Sequence, residues 1–338
     1  MFDVAPRQRT RKSTYEQWVA SQGVPLVQGH YIADLKTAPV EPWARRNASG
    51  CFINHDASNT SNDCYLLELA PAHETPPQHA LYEEMIYVLK GRGATTVWYD
   101  QSRKSSFEWG PGALFSIPMN AWHQHFNASG SEPVRYIGVT SAPSAINLFG
   151  DPEFIFNCDY RFTNRFGGEA DYFSGDGKLT GMVWETNFVA DVPGYELLAY
   201  PERGAGGRNI KFTLARNQMG AHVIILNGDG YSLMWKGDES IQRFDWQPGT
   251  LIIPPDRTFH QHFNTGASPA RYLALRFSGN EESKVKDRDL ISSRSVKLGG
   301  DQIEYQDQDP VIHRTFVEEA ARHGVSVQMD QFLAAASR

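Results

Sequence analysis

The stretch best suited to chemistry is Trp122-His123-Gln124-His125-Phe126-Asn127, and it recurs as Phe259-His260-Gln261-His262-Phe263-Asn264. In an extended strand, residues i, i+2 and i+4 share a face, so His123, His125 and Asn127 point the same way, as do their counterparts in the second copy. Two imidazoles on one face suit a divalent transition metal. A third imidazole or a carboxylate would complete such a shell and leave open positions for substrate and O2. The plainer alternative is a hydrogen-bonded histidine lining that holds no metal.

These strands need a scaffold, and the repeat defines it. The two stretches lie 137 residues apart, and the same offset carries Gly91 onto Gly228, Gly93 onto Gly230, Trp98 onto Trp235, Trp109 onto Trp246 and Gly112 onto Gly249. A match at one fixed period over many positions marks a duplicated module. From Cys64 onward, short β-branched and aromatic runs alternate with Gly and Pro turns: 65–69, 85–89, 95–99, 107–109 and 114–117. This pattern predicts an antiparallel sandwich or barrel, repeated from about Ile210 to Phe277.

With 338 residues, 19 Phe, 14 Tyr and 8 Trp, the chain can fill two cores. The tryptophans at 98, 109, 235 and 246 are read as core, although an aromatic-lined barrel also suits a flat substrate. Net charge is −7 with scattered Lys and Arg, which leaves no electrostatic footprint for nucleic acid. Arg7, Arg9, Arg11 and Lys12 have no apolar core behind them, and no apolar run reaches membrane-spanning length, so a cytoplasmic protein is expected. Cys51, Cys64 and Cys158 contain no CxxC pair and are read as free thiols. Asn-x-Ser at Asn47, Asn59 and Asn127 carries little weight in a reducing compartment, and Asn127 reads as a turn or supporting residue.

The expected domains are a helix and arm (1–63), a first barrel (64–147), an aromatic inter-barrel segment (148–207), a second barrel (208–278) and a helical tail (279–338). Ser13-Thr-Tyr-Glu16 has capping-box spacing ahead of a helix that ends near Gly23. Residues from Val24 to about Asn62 lack helical period and are expected to lie as an arm across a lobe or a partner subunit. The segment from Leu148 is too apolar for a disordered linker and is expected to pack across both barrels. Past the polar stretch 280–289, Asp309-Pro310 predicts a helix ending near His323-Gly324, with Ile312, Phe316 and Ala320 as its buried stripe.

His79-x4-Glu84-x6-Gly91 and Gly112-x5-Pro118-x4-His123-x3-Asn127 resemble the two motifs of the cupin superfamily, and Gly249-x5-Pro255-x4-His260-x3-Asn264 repeats the second of them. The resemblance implies an all-β chain of two tandem double-stranded β-helix (cupin or jelly-roll) barrels, a bicupin, with short N- and C-terminal helices. It departs from the family at Pro77, where the first histidine of motif one belongs, and at Asn120 and Arg257, where motif two often has Gly. By resemblance, His79, Glu84 and His123 are metal-ligand positions. The expected site adds His125, with either Glu84 or His125 completing the shell, Glu83 as the registry alternative and His73 as a spare. In the second copy His79 and Glu84 become Arg216 and Ala221, so His222, His260 and His262 form a three-histidine site only if a bulge corrects the phase.

The resemblance to gentisate-type ring-cleaving enzymes implies a non-haem dioxygenase using Fe(II), with Mn, Ni and Zn as alternatives, and O2. Its substrate would be a small gentisate-, salicylate- or catechol-like aromatic, or a dicarbonyl compound. The competing readings are a metal-dependent lyase or isomerase, with Glu84 or Tyr82 as the catalytic base, and a catalytically silent bicupin that binds a small ligand. Bicupins commonly self-associate, so a homodimer or larger is expected, with no nucleic-acid or membrane partner.

Overall fold

The structure is a computed structural model that describes residues 12–54, 62–200, 207–214, 222–237, 239–255, 258–275, 294–300 and 302–329. Arg7, Arg9, Arg11, Asn59, Arg216, Ala221, Arg257, Phe277 and the stretch 280–289 lie outside the described residues. The chain forms two compact units: one holds 1–30 and 35–220, the other 31–34 and 221–338.

The first unit is an antiparallel jelly roll. Its larger sheet runs β1 (Leu26–Gln28), β4 (Ala48–Asn54), β5 (Asp63–Leu69), β11 (Val134–Thr140), β6 (Glu84–Lys90), β9 (Leu114–Ile117) and β14 (Phe188–Val189), with β3 (Glu41–Trp43) beside β4. The smaller sheet is β10 (Trp122–Asn127), β7 (Gly93–Trp98) and β8 (Ser105–Trp109). Further along, β12 (Gly177–Thr180), β13 (Val183–Thr186) and β17 (Lys211–Leu214) form a sheet, and β15 (Leu198–Ala199) pairs with β16 (Arg208–Asn209).

The second unit repeats the core of this arrangement. One sheet holds β2 (Tyr31–Ile32), β21 (Leu251–Ile252), β18 (His222–Asn227) and β23 (Arg271–Leu275); the other holds β20 (Gln242–Trp246), β19 (Gly230–Trp235) and β22 (Phe259–Asn264). Two tandem barrels result, as the repeat predicts.

Packing explains which residues recur. Gly93 pairs with Trp109 and Gly230 with Trp246, and in each copy the indole lies on the glycine. A Cβ at Gly93 would fall 2.3 Å from the Trp109 ring, and one at Gly230 would fall 2.7 Å from the Trp246 ring. Gly91 and Gly228 turn the preceding hairpins with φ of 83° and 92°, a region that side-chain-bearing residues rarely adopt.

The predicted helices form. α1 (Thr14–Ser21) carries the full Ser13/Glu16 capping box, and its Trp18 stacks on Phe156 with centroids 5.3 Å apart. A C-terminal helix, α4 (Pro310–Arg322), is capped by Asp309 and buries Ile312 and Ala320.

Two expectations need correction. The segment read as an arm supplies β4, hydrogen-bonded between β1 and β5, because Cys51-Phe52-Ile53 is apolar on both faces and becomes a central strand. α2 (Ala142–Phe149) forms at the end of the stretch expected as the first barrel, and α3 (Pro152–Asn157) forms where only an aromatic segment was expected. Pro143 and Pro152 stand in their first turns, where a missing N–H costs nothing.

Candidate functional site

The interior of the first barrel gathers the chemistry. On β10, burial alternates so that His123, His125 and Asn127 face inward and Trp122 faces out. Glu84 opens β6, and His123 Nε2 lies 3.6 Å from its Oε2, both side chains being about 5% exposed or less. Tyr65 donates to Glu84 Oε1, and the Ser116 hydroxyl donates to the Glu84 carbonyl at 2.9 Å. His123 Nδ1 sits 3.2 Å from the carbonyl of Ala121, which can only accept, so Nδ1 carries the proton and the Nε2 lone pair faces Glu84. Burial lowers the His123 pKa, with Glu84 and the Ala121 carbonyl acting against it. Two buried lone pairs thus confront each other, an arrangement relieved by a cation between them.

His125 is fully buried, with Nδ1 2.8 Å from Thr95 Oγ1 and its ring centroid 5.3 Å from that of His123. Among the described residues, neither His123 Nε2 nor His125 Nε2 has a hydrogen-bond partner.

His79 is turned elsewhere. Its ring packs 4.0 Å from Trp122, and its Nδ1 donates to Asn120 Oδ1 at 2.9 Å. The cause is a register shift. Glu74 bridges Phe126 while Gln78 bridges His123, so four steps on the edge segment match three on β10. The extra residue falls at Pro76-Pro77, which have no N–H to continue the ladder. A one-residue slip exchanges faces, so Gln78 shares the side of His123 and His79 shares that of Trp122. Asn120 occupies the position that favours Gly, with φ 60°, and its amide donates to the carbonyls of Cys158 and Tyr160. That fixes Oδ1 toward His79.

Other expected residues separate as well. Glu83 pairs with Arg165 at 3.3 Å, which leaves Glu84 as the inward acid. His73 is exposed, 2.9 Å from the Pro71 carbonyl and away from the barrel interior. Tyr82 packs edge-on to Phe156, and burial pushes its phenol well up, so it keeps its proton at neutral pH and is no base. Asn127 donates to the carbonyls of Leu69, Ala70 and Glu132, which makes it a turn anchor. In the second barrel, His260 and His262 lie 5.5 Å apart, with His260 exposed. His222 is fully buried at the start of β18, opposite Leu275. Among the described residues, no three His, Cys, Asp or Glu side chains gather as a metal site.

Sequence reasoning missed Arg46. It lies in the segment read as an arm, is 5% exposed, and is flanked by the rings of Trp43 and Tyr65 at 5.3 and 5.2 Å. Burial works against its charge, but Tyr65, Tyr82, Glu84 and Tyr136 outweigh that and raise its pKa. Among the described residues its Nε and Nη1 have no hydrogen-bond partner, and nothing periodic in Trp43-Ala-Arg45-Arg46 announces an inward cation.

Two predictions arise from the packing around this cluster. A Cβ on Gly138 would fall 2.3 Å from the Tyr65 ring, which is boxed by Trp43 and Tyr136. Gly138→Ala is therefore expected to destabilise the chain by about 1–3 kcal/mol in denaturant titrations and to displace Tyr65 from Glu84.

Asp63 accepts from Tyr15 of α1 and from Thr140, and burial raises its pKa to about 6. A carboxyl raised in the folded state stabilises most below its unfolded pKa, and that contribution is lost as pH rises through about 6. Asp63→Asn should therefore remove about 3 kcal/mol of pH dependence between pH 4 and 8. Equal slopes for the two proteins across that range would contradict this.

Comparison with known proteins adds the following. Residues 65–140 match the family described as Cupin domain. A 5-aminosalicylate 1,2-dioxygenase of Comamonas sp is 30% identical over 91 residues, covering 27% of this chain and only 22% of that protein's length. Among solved structures, two variants of Bacillus subtilis oxalate decarboxylase are similar. One is 13% identical with TM-score 0.45, covering 75% of this chain and 78% of that one. The other is 12% identical with TM-score 0.47, covering 86% and 87%.

Proposed function

With a cupin domain at residues 65–140 and a second copy of its strands and motif, the chain is a bicupin of the cupin superfamily, and from that premise we propose that its first barrel is a metal-dependent dioxygenase site for a small aromatic carboxylate. The observation that carries this reading is the division of the barrel interior: acceptor lone pairs at Glu84 Oε2 and His123 Nε2, and unpartnered donors at Arg46. A cation fits the acceptors and an anion fits the donors, so a chelated, negatively charged substrate satisfies both. The similarity to a 5-aminosalicylate 1,2-dioxygenase agrees in substrate chemistry.

Glu84 and His123 would hold the metal, Fe(II) first, with the remaining positions open to substrate and O2. The metal would supply Lewis-acid and O2-binding chemistry there. The chain's own contribution is positional. Tyr65 fixes Glu84 through Oε1, so that Oε2 faces His123. Arg46 grips the carboxylate, and the buried walls exclude water. The reading includes a cytoplasmic homodimer or larger assembly; a light-scattering mass of one chain would contradict that part.

A second reading, an anion-binding barrel without metal, is favoured by His79, which is buried against Trp122 and bonded to Asn120 and does not complete a three-residue cluster with Glu84 and His123 among the described residues. Calorimetric titration with salicylate and with phenol, each with and without anaerobic Fe(II), separates the two. The dioxygenase reading requires that salicylate bind tighter when Fe(II) is present and that phenol not bind. Salicylate binding indifferent to metal would favour the second reading.

A further inference from the structure

The two histidines of each His-x-His strand are held in different ways, and the difference recurs in both copies. His123 Nδ1 faces the Ala121 carbonyl at 3.2 Å, and His260 Nδ1 faces the Thr258 carbonyl at 3.3 Å. By contrast, His125 Nδ1 faces the Thr95 hydroxyl at 2.8 Å, and His262 Nδ1 faces the Ser232 hydroxyl at 2.6 Å. Thr95 and Ser232 stand at the same offset as the histidines they touch, and both are fully buried.

The donor inventory fixes the protons. Trp109 Nε1–H, which can only donate, gives a 2.8 Å hydrogen bond to Thr95 Oγ1. The hydroxyl has one proton of its own, and His125 Nδ1 is its acceptor among the described contacts. If His125 instead carried its proton on Nδ1, both the hydroxyl proton and the Nε2 lone pair would lack partners. With the hydroxyl donating, only the Nε2–H is left over.

We infer that Trp109 and Thr95 are positioning residues that hold His125 as an Nε2–H donor, so that β10 presents one metal ligand, His123, and one hydrogen-bond donor, His125, to the same bound anion. The acceptor is an anionic oxygen of the substrate, carboxylate or phenolate, and this part rests on reading the first barrel as the ligand site. The expected choice between Glu84 and His125 for the metal shell then falls to Glu84. In the second copy Ser232 holds His262 in the same way, but Trp246 Nε1 has no partner among the described residues, so the relay there lacks its indole end.

The test uses the full chain labelled with 15N-histidine, with the His125 signals identified by their loss in His125→Gln. Ring-nitrogen shifts are expected to show Nε2 protonated and Nδ1 accepting a hydrogen bond. Thr95→Val should bring in the other tautomer and weaken binding of benzoate, used as the anion probe, by up to about tenfold, while Thr95→Ser restores both. A wild-type Nδ1–H pattern, or a tautomer indifferent to Thr95→Val, would overturn the inference. Anaerobic Co(II) titration supplies the second arm: His125→Gln should bind Co(II) as wild type does, and loss of Co(II) in that variant would make His125 a ligand and sink the assignment. If wild type binds no Co(II), the metal reading of the barrel fails, and the nitrogen shifts alone decide the inference.

Discussion

Replacing His123 by Ala is expected to empty the first barrel of metal. Elemental analysis of anaerobically prepared protein should fall from about one Fe per chain to less than about a tenth. The Nδ1–H of His123 is committed to the Ala121 carbonyl and its Nε2 lone pair faces Glu84 Oε2 at 3.6 Å, so no neighbouring side chain replaces it. Glu84→Gln should lower affinity similarly, because the amide keeps the volume and the Tyr65 contact but loses the charge. His260→Ala should leave the metal content unchanged. The second-barrel counterparts of His79 and Glu84 are Arg216 and Ala221, neither of them a plausible metal ligand. Metal that survives His123→Ala and disappears with His260→Ala would move the centre to the second barrel.

The second large effect concerns Arg46. Arg46→Met is expected to reduce salicylate or benzoate affinity by roughly a hundredfold or more, since two charge-assisted hydrogen bonds are each worth about 1.5–3 kcal/mol. Methionine keeps an unbranched stem between Trp43 and Tyr65, but it leaves the buried Glu84 without the Arg46 charge, so stability is expected to fall as well, by up to about 3–5 kcal/mol. Arg46→Lys, which keeps the charge and loses the planar fork, should retain stability and still weaken benzoate binding. A folded Arg46→Met or Arg46→Lys variant that binds benzoate undiminished would count against the assignment.

Much of the fold was legible because duplication repeats what packing requires. The Gly93/Trp109 and Gly230/Trp246 pairs recur since an indole can lie flat only where there is no Cβ, and the hairpin glycines recur since their backbone is left-handed. The inward face of β10 followed from strand alternation alone. The fate of His79 did not, because a bulge acts on register: Pro77 was visible as a missing histidine, whereas the extra residue at Pro76-Pro77 changes the face of everything after it. Arg46 was hidden because a lone charged residue in an aperiodic segment carries no directional signal. Thr95 had a usable signal, a hydroxyl at both 95 and 232 opposite the second histidine, whose meaning depends on a cross-strand pair that spacing does not reveal.

The central claim is that the first barrel couples a metal at Glu84 and His123 to an anion held by Arg46. Oxygen uptake by Fe(II)-loaded protein tests it most directly, using 5-aminosalicylate beside 4-aminophenol, its counterpart without the carboxylate. Metal-dependent O2 consumption with the carboxylated compound alone, lost in both His123→Ala and Arg46→Met, is the predicted result. Metal-loaded protein that consumes no O2 with either compound, or consumption that persists in Arg46→Met, would contradict the account.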